Sequence, residues 1–448
     1  MSKIFILGYD PLPFDKGQKQ FAPGIRTWQF TQPLIKDSHN VCLVCARMPT
    51  LEVDRSEEER KEKVEGMTYY SLRRDVIHQR KRIEEICNKF DPDCIIGVTH
   101  YPAYLASQLF EEKPLWIDLF GHAMAEAQVK AQSTNNDFHL QYSWNQEFPS
   151  LLRGDKFSVL SDNQKYALIG ELGAVGRLNK KTADYEFCHK IPCGFFKVKG
   201  LKKDKVLRGV DVGEDDFVLL WSGGYNTWAD VETLFHGLEY AMKKFKNIKF
   251  VSLGGVIKGH DEKTYPKFLE LVEKSKYKGR FIFKGYVPAE DVTRYLKEAD
   301  VAISIDKFSY EAIFGSRNRL LEWLFSGALV LTTRLCELSN IIEADKLGYT
   351  VEPNKYKDLG KKILEIRDSE KEASKMRKRA YEYAKKRFNF EFTTESLRDW
   401  CRAPYRAPDY RDKFSISWGS LPRSIIYMNY LKEHGFKEAL NALISKYR

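Results

Sequence analysis

Two stretches of the chain hold residue types whose spacing suits a phosphate-bearing ligand. The first is WSGGYNTWAD, Trp221–Asp230, which follows an apolar run and precedes a helical pattern. A glycine pair at such a strand-to-helix turn, Gly223 and Gly224, lets backbone amides approach phosphate. The same pair also suits a turn that needs glycine for geometry alone. The second stretch is FSYEAIFGSRNRLLEWLFSGALVLTT, Phe308–Thr333. There Gly315 and Ser316 read as a loop and N-cap that open a helix. Arg317 and Arg319 fall in its first turn, where cations oppose the helix dipole. An anion over that helix end would account for them, and guanidinium forks suit a diphosphate. Glu322, about one turn beyond Arg319, is placed to accept hydrogen bonds from sugar hydroxyls; the alternative is a structural Arg–Glu pair at i, i+3.

The first half offers fewer such residues. His100 and His122 each follow an expected strand. His122, in DLFGHAMAE, is positioned to hydrogen-bond a sugar, and Asp118 to act as a base or a loop-orienting carboxylate. A buried polar network is the alternative for all three. The DPD at 91–93 precedes its strand, the wrong end for a metal-binding pair. Cys42 and Cys45 form a CxxC inside the strand-like VCLVCA, where residues i and i+3 point to opposite faces and chelate poorly.

The elements that must position these residues alternate between apolar runs and helical periodicity, the mark of α/β units with parallel sheets. The first series has expected strands at Ile4–Gly8, Val41–Ala46, Cys94–Val98, Leu115–Leu119 and Phe157–Leu160. Residues 52–66 are charged and read as an exposed loop or short helix, followed by a basic helix over Arg73–Lys89. A second series has strands at Val218–Trp221, Lys249–Leu253, Arg280–Lys284, Val301–Ile305 and Leu329–Thr332, with helices between them. The expected architecture is two Rossmann-like doubly wound α/β domains facing a cleft. The boundaries are an N-terminal acceptor domain at 1–196, a linker at 197–213, a donor domain at 214–370 and a helical crossover and tail at 371–448. The tail includes the basic KMRKRAYEYAKKRF at 375–388 and a final helix near Ile425–Ser445.

Composition limits the partners. The chain has 448 residues, 43% of them hydrophobic, which excludes a disordered chain. Lys+Arg 73 against Asp+Glu 62 gives a net charge of +11 and favours an anionic partner. No apolar run reaches the length of a spanning helix, and MSKIFILGYD is too short in apolar residues for a secretory signal. A cytoplasmic location, with peripheral contact at an anionic inner membrane face, is expected. Eight cysteines spread over this length read as reduced buried thiols.

On these residues the second half resembles the donor domain of a GT-B glycosyltransferase, in the broad group 1 that includes family 4. The resemblance is carried by Trp221-Ser222-Gly223-Gly224, FKGYVPAEDVTRYLKEADVAIS at 283–304 and SRNRLLEWLFSGALVLTT at 316–333. It implies that the Gly223–Gly224 loop approaches donor phosphate and that the loop at Gly285–Val287, with Tyr286, receives the base. The helix opening near Ser316 would then bind diphosphate and ribose. APGIRTWQF at 22–30, with Gly24 and Arg26, resembles more loosely the first loop that closes on donor and acceptor. PLWIDLFGHAMAEAQVKA at 114–131 and SVLSDNQKYALIGELGAVGRL at 158–178 resemble N-domain elements.

Two positions depart from the family pattern. Family 4 enzymes commonly carry two glutamates separated by seven residues, the second matching Glu322; eight positions before it stands Phe314, and Glu311 is the nearest candidate. An Arg/Lys pair just after Gly224 is missing, so Lys258, or Arg317 and Arg319, would supply the phosphate charge. The resemblance implies a hexosyltransferase-like enzyme moving a sugar from a nucleoside-diphosphate sugar to a glycan or lipid-linked acceptor, with retention and without metal or cofactor. His122, Asp118 and Glu311 are the catalytic candidates. The rivals are a sugar-nucleotide epimerase of the same fold and a nucleic-acid-binding protein. The latter needs basic residues interleaved with aromatics on one surface, whereas the charge here is dispersed among acids.

Overall fold

The computed structural model describes residues 1–15, 21–47, 59–73, 77, 80–110, 112–195, 204–411 and 431. It divides into two compact units: Met1–Pro192 with the described residues from Thr394 onward, and Cys193–Thr393. The described part of the expected linker, 204–213, is tied into the second unit. There Glu298 accepts the amides of Val206, Leu207 and Arg208, and Arg208 pairs with Asp300 at 2.7 Å.

The first unit is built on strands β1 (Lys3–Asp10), β2 (Asn40–Arg47), β3 (Arg60–Val64), β4 (Met67–Leu72), β5 (Cys94–Val98), β6 (Leu115–Asp118), β7 (Lys156–Val159) and β8 (Cys188–Lys190). Their order is β3-β4-β2-β1-β5-β6-β7-β8, parallel except for the antiparallel β3–β4 pair. The central strands are buried along almost their whole length, as parallel strands covered by helices on both faces must be. Helices start where local chemistry allows: Ser161 caps Asp162–Ala174 by accepting the Gln164 amide at 3.1 Å.

The second unit holds β9 (Phe217–Ser222), β10 (Ile248–Leu253), β11 (Phe281–Phe283), β12 (Val301–Ser304), β13 (Val330–Thr333) and β14 (Gly348–Val351). Their order is β11-β10-β9-β12-β13-β14, all parallel. Counted within the unit this is the 3-2-1-4-5-6 order of a dinucleotide-type fold. The stretch β4-β2-β1-β5-β6-β7 of the first unit repeats it, with β3 and β8 added at the edges. Asp230 caps the Val231–Lys244 helix by accepting the Thr233 amide at 2.9 Å.

Residues 52–66 were expected as a loop or short helix, yet Arg60–Val64 is an edge strand. Glu65 and Gly66 both have positive φ (52° and 83°), which suits a tight two-residue hairpin turn back to β4. The charge that disguises RKEKV as a loop is what edge strands commonly carry. Of the basic helix expected over Arg73–Lys89, Lys81–Phe90 is helix, and residues 74–76, 78 and 79 lie outside the described residues. The Phe138–Arg153 helix was not expected, because its polar residues break the apolar stripe. The expected final helix at 425–445 lies outside the described residues apart from residue 431.

Residues 394–411 complete the first unit. Arg177 donates to both carboxylate oxygens of Asp409 (2.8 and 2.9 Å), with both side chains almost fully buried. Arg398 grips Asp37 in the same way, Ser2 Oγ donates to the Cys401 carbonyl at 2.7 Å, and Trp400 packs against Trp116. Among the described residues, no helix is long and apolar enough to cross a membrane.

Candidate functional site

In doubly wound sheets ligands bind beyond the carboxyl ends of the strands, where the strand order reverses. In the second unit that point lies between β9 and β12. Gly223 and Gly224 leave β9 there, and Asp306 follows β12.

The glycine loop packs backbone to backbone against the loop after β10. The Gly223 amide donates to the Leu253 carbonyl at 2.7 Å and the Tyr225 amide to the Gly255 carbonyl at 3.1 Å. A Cβ on Gly224 would stand 2.3 Å from Ile257 Cγ1, and one on Gly254 would stand 2.0 Å from the Gly223 carbonyl oxygen. Glycine is therefore required at this turn by geometry, whatever else the loop does.

Arg319 reaches back over this loop from the Asn318–Ser326 helix. Its Nη2 donates to the Gly224 carbonyl at 2.7 Å, and its guanidinium lies 4.4 Å from the centre of the Trp221 ring. Trp221 itself stacks on Tyr225 at 4.5 Å. The remaining Arg319 Nη1 is buried with no partner, as is Asn318 Oδ1 beside it. Burial depresses the Arg319 pKa against the pull of Asp306. Glu322, one turn on, takes part in no hydrogen bond or ion pair among the described residues, so the Arg–Glu pair of the structural alternative does not form. Burial pushes its pKa up to about 7, while Arg319 pulls the other way. A buried unpaired donor, a buried unpaired acceptor and an unpaired carboxyl meet on one helix end.

The flanking expectations vary. Tyr286 is exposed at 45%, its hydroxyl donating to the Val256 carbonyl at 3.1 Å; Val287 beside it is half-buried. Lys258 is exposed, without an acidic partner among the described residues. Ser316 was expected to cap the helix, but Ser309 caps the preceding Tyr310–Phe314 helix and Arg317 holds the N-cap position without its side chain capping the helix amides.

Arg317 requires a correction. It was expected to meet diphosphate, yet all its donor nitrogens are engaged internally: Nε with Asp306 at 2.5 Å, Nη1 and Nη2 with the two oxygens of Glu311 at 2.9 Å each. Burial works against its charge, but Glu311 and Asp306 outweigh it and hold the guanidinium firmly protonated. Glu311 is corrected with it, because a buried carboxylate bound bidentately to arginine is not available as a catalytic group.

The first unit brings similar corrections. Ala22–Lys36 is helix from its first residue, with proline near its start, so Gly24 and Arg26 of APGIRTWQF stand on a helix and not in the loop that this stretch resembles. Gly24 serves close packing, since a Cβ there would lie 2.1 Å from the Pro11 carbonyl oxygen. Arg26 and Asp118 were expected at ligand and base positions. They form a buried bidentate pair (3.0 and 2.7 Å), with Asp118 also accepting from Ser158 Oγ at 2.7 Å and Arg26 donating to Gln29. His122 Nδ1 accepts the Ala125 amide at 3.2 Å and so caps Ala123–Thr134. Its Nε2 must then carry the proton and faces Glu171 at 3.2 Å, which removes it as a free base. His100 Nε2 is buried without a partner, and burial lowers its pKa.

Sequence reading missed Trp221 as the support for Arg319 and Asn318 as an unpaired acceptor. Both stand within the motifs already singled out, next to Gly223 and Arg319.

Comparison with known proteins bears on the fold. Residues 203–387 match the family model of Glycosyl transferases group 1. No curated protein sequence matches the chain. Among solved structures, the chain is similar to sucrose-phosphate synthase from Thermosynechococcus elongatus at 16% identity, covering 90% of this chain and 98% of that one, with a TM-score of 0.67. It is also similar to Anabaena HepE in complex with UDP-glucose (13% identity, 89% and 99% covered, TM-score 0.61). A glycosyltransferase from Rickettsia africae matches at 16% identity, 90% and 99% covered, with a TM-score of 0.61. At these identities the likeness speaks for the fold. The chain thus has the paired Rossmann-like units of the GT-B fold, and its residues 203–387 are similar to the Glycosyl transferases group 1 family.

Proposed function

We propose that the protein is a glycosyltransferase that takes a nucleoside-diphosphate sugar in its second unit and passes the sugar to an acceptor hydroxyl. The observation that supports this most directly is Arg319. An arginine held on Trp221, tied to Gly224 by one nitrogen and left with a buried unpaired Nη1, is prepared for an anion at the switch point of a doubly wound sheet.

In this reading Arg319 and the backbone at the start of the Asn318–Ser326 helix hold the diphosphate. Glu322 takes ribose hydroxyls, Gly223 and Gly224 let the loop lie close to phosphate, and Tyr286 and Val287 flank the base. Ser316 and Lys258 stand at the rim. Breaking the anomeric bond leaves negative charge on the departing diphosphate, and a fixed cation there is worth more than a mobile one. Transfer with retention, without metal or cofactor, to a glycan or lipid-linked acceptor completes the proposal. The Anabaena relative's bound UDP-glucose makes uridine nucleotides the first donors to try.

Calorimetric titration of the purified protein with a panel of nucleoside diphosphates and their sugars tests it. Saturable binding of at least one nucleotide, weakened in Arg319→Ala, is expected. Binding of none, or an unaltered affinity in the variant, would overturn the donor-site assignment.

A further inference from the structure

A cavity of about 410 Å³ opens on the first unit, between the β2–β4–β3 side of its sheet and the Lys81–Phe90 helix. Cys42 stands near the start of β2, and Phe90 ends the helix that feeds β5. The cavity therefore lies toward the amino ends of the strands, away from the end where doubly wound sheets bind their substrates. Its volume falls in the range of small-molecule sites.

The floor is apolar: Cys42, Tyr70 and Ile86 are buried, and Phe90 closes one end. Three exposed lysines, Lys61, Lys63 and Lys89, complete the lining. Lys63 is the cross-strand neighbour of Thr68, which in turn neighbours Cys42, while Lys61 neighbours Tyr70. Register places these residues on one face of the sheet, so both lysines share the side of the cavity floor. Lys89 comes from the helix opposite. The Lys61 ammonium lies 5.5 Å from the Tyr70 ring centre. None of the three has an acidic partner among the described residues. Glu62, the one acid of the lining, is paired with Arg60 at 2.8 Å.

Edge strands carry lysine to repel other strands, but a charge with that task alone serves on either face. Here two lysines on the edge strand and one on the facing helix line a single cavity with an apolar floor. We propose that this cavity binds a small anionic amphiphile, its apolar body on Cys42, Tyr70 and Ile86 and its anionic head among Lys61, Lys63 and Lys89. The site is separate from the donor site and stands whether or not the proposed transfer reaction is correct.

Hexyl phosphate is the probe, with inorganic phosphate and hexanol as its two halves, each titrated calorimetrically into the full chain. Hexyl phosphate should bind at least about tenfold more tightly than either half. Lys61→Gln/Lys63→Gln should cost it about tenfold, which separates this cavity from any anion site in the second unit. Thr68→Trp, which fills the cavity, should abolish it while circular dichroism remains unchanged; should that variant not fold, the surface lysine pair still decides. Equal affinity for phosphate alone would mean a simple anion site, equal affinity for hexanol an uncharged crevice, and full binding by the lysine variant a site elsewhere. Each of these results overturns the proposal.

Discussion

Arg317 and Arg319, two residues apart, face different surroundings. One is surrounded by carboxylates, while the other keeps an unpaired nitrogen. Arg319→Ala should weaken diphosphate binding by about 1.5–3 kcal/mol, as expected for a charge-assisted hydrogen bond, with little loss of melting temperature. Arg317→Met should do the opposite. It strands Asp306 and Glu311 as buried unpaired charges, at a cost of about 3–5 kcal/mol of stability. Calorimetry and thermal melts on the two variants read these effects separately. Glu322 adds a pH dependence. Burial raises its pKa to about 7 in the folded chain, so the folded state holds a proton that the unfolded chain releases at the ordinary value of 4.5. The stabilisation is full below the unfolded value and is lost as pH rises through 7. Between pH 5 and 8 the wild type should lose melting temperature relative to Glu322→Gln; parallel curves would refute the shift. The glycine pair and the SRNR run were legible because their types and order are local. Which guanidinium was already consumed was not, because that depends on Asp306 and Glu311 reaching it in the folded chain.

Elements with a clean apolar period were readable, and those with a mixed surface were not. β9 and β12 announced themselves as continuous apolar runs; RKEKV and the Phe138–Arg153 helix did not. The Glu370–Arg387 helix shows the mixed case. Ala373, Met376, Ala380 and Ala384 are buried along one face at helical spacing, and the basic residues occupy the rest. Part of that charge is already met, since Glu370 pairs with Arg377 at 2.7 Å and Glu372 lies 3.6 Å from Arg379. Lys378, Lys385 and Lys386 remain exposed. We expect weak binding to anionic vesicles, reversed by salt, at about 1 kcal/mol per lysine near the surface, and none to neutral vesicles. Replacing these three lysines by glutamine should reduce the bound fraction in a sedimentation assay. Equal partitioning to both lipids, or none to either in low salt, would remove the helix as a membrane contact.

At the scale of the whole molecule, two α/β series were visible in the alternation of strand and helix patterns, because parallel strands buried on both faces must read as apolar runs. A helical crossover was expected over 371–448, but what fixes the chain to the first unit after Thr393 was not visible. That attachment rests on pairings such as Arg177 with Asp409 and Ser2 with Cys401, whose partners are hundreds of residues apart and share no local signal. Those pairings make a prediction. Truncation after Thr393 removes Asp409 from a guanidinium that is 1% exposed, and such a broken buried pair costs about 3–5 kcal/mol. It also uncovers the surfaces that bury Leu397 and Trp400 (0% and 3% exposed), at about 1.5–3 kcal/mol for a buried side chain of the leucine class and more for the indole. That sum approaches the whole stability of an ordinary domain. The truncated chain should therefore lose hydrogen-exchange protection across β1, β5 and β6, while β9, β10 and β12 keep theirs, because their core draws on no residue beyond Met376. Arg177→Met/Asp409→Leu, which removes both charges together, should lose far less protection than either the truncation or Asp409→Leu alone. Uniform loss across both units would show that they do not fold as separate cores, and full protection in the truncated chain would show that the returning segment only lies on the surface of a unit already complete.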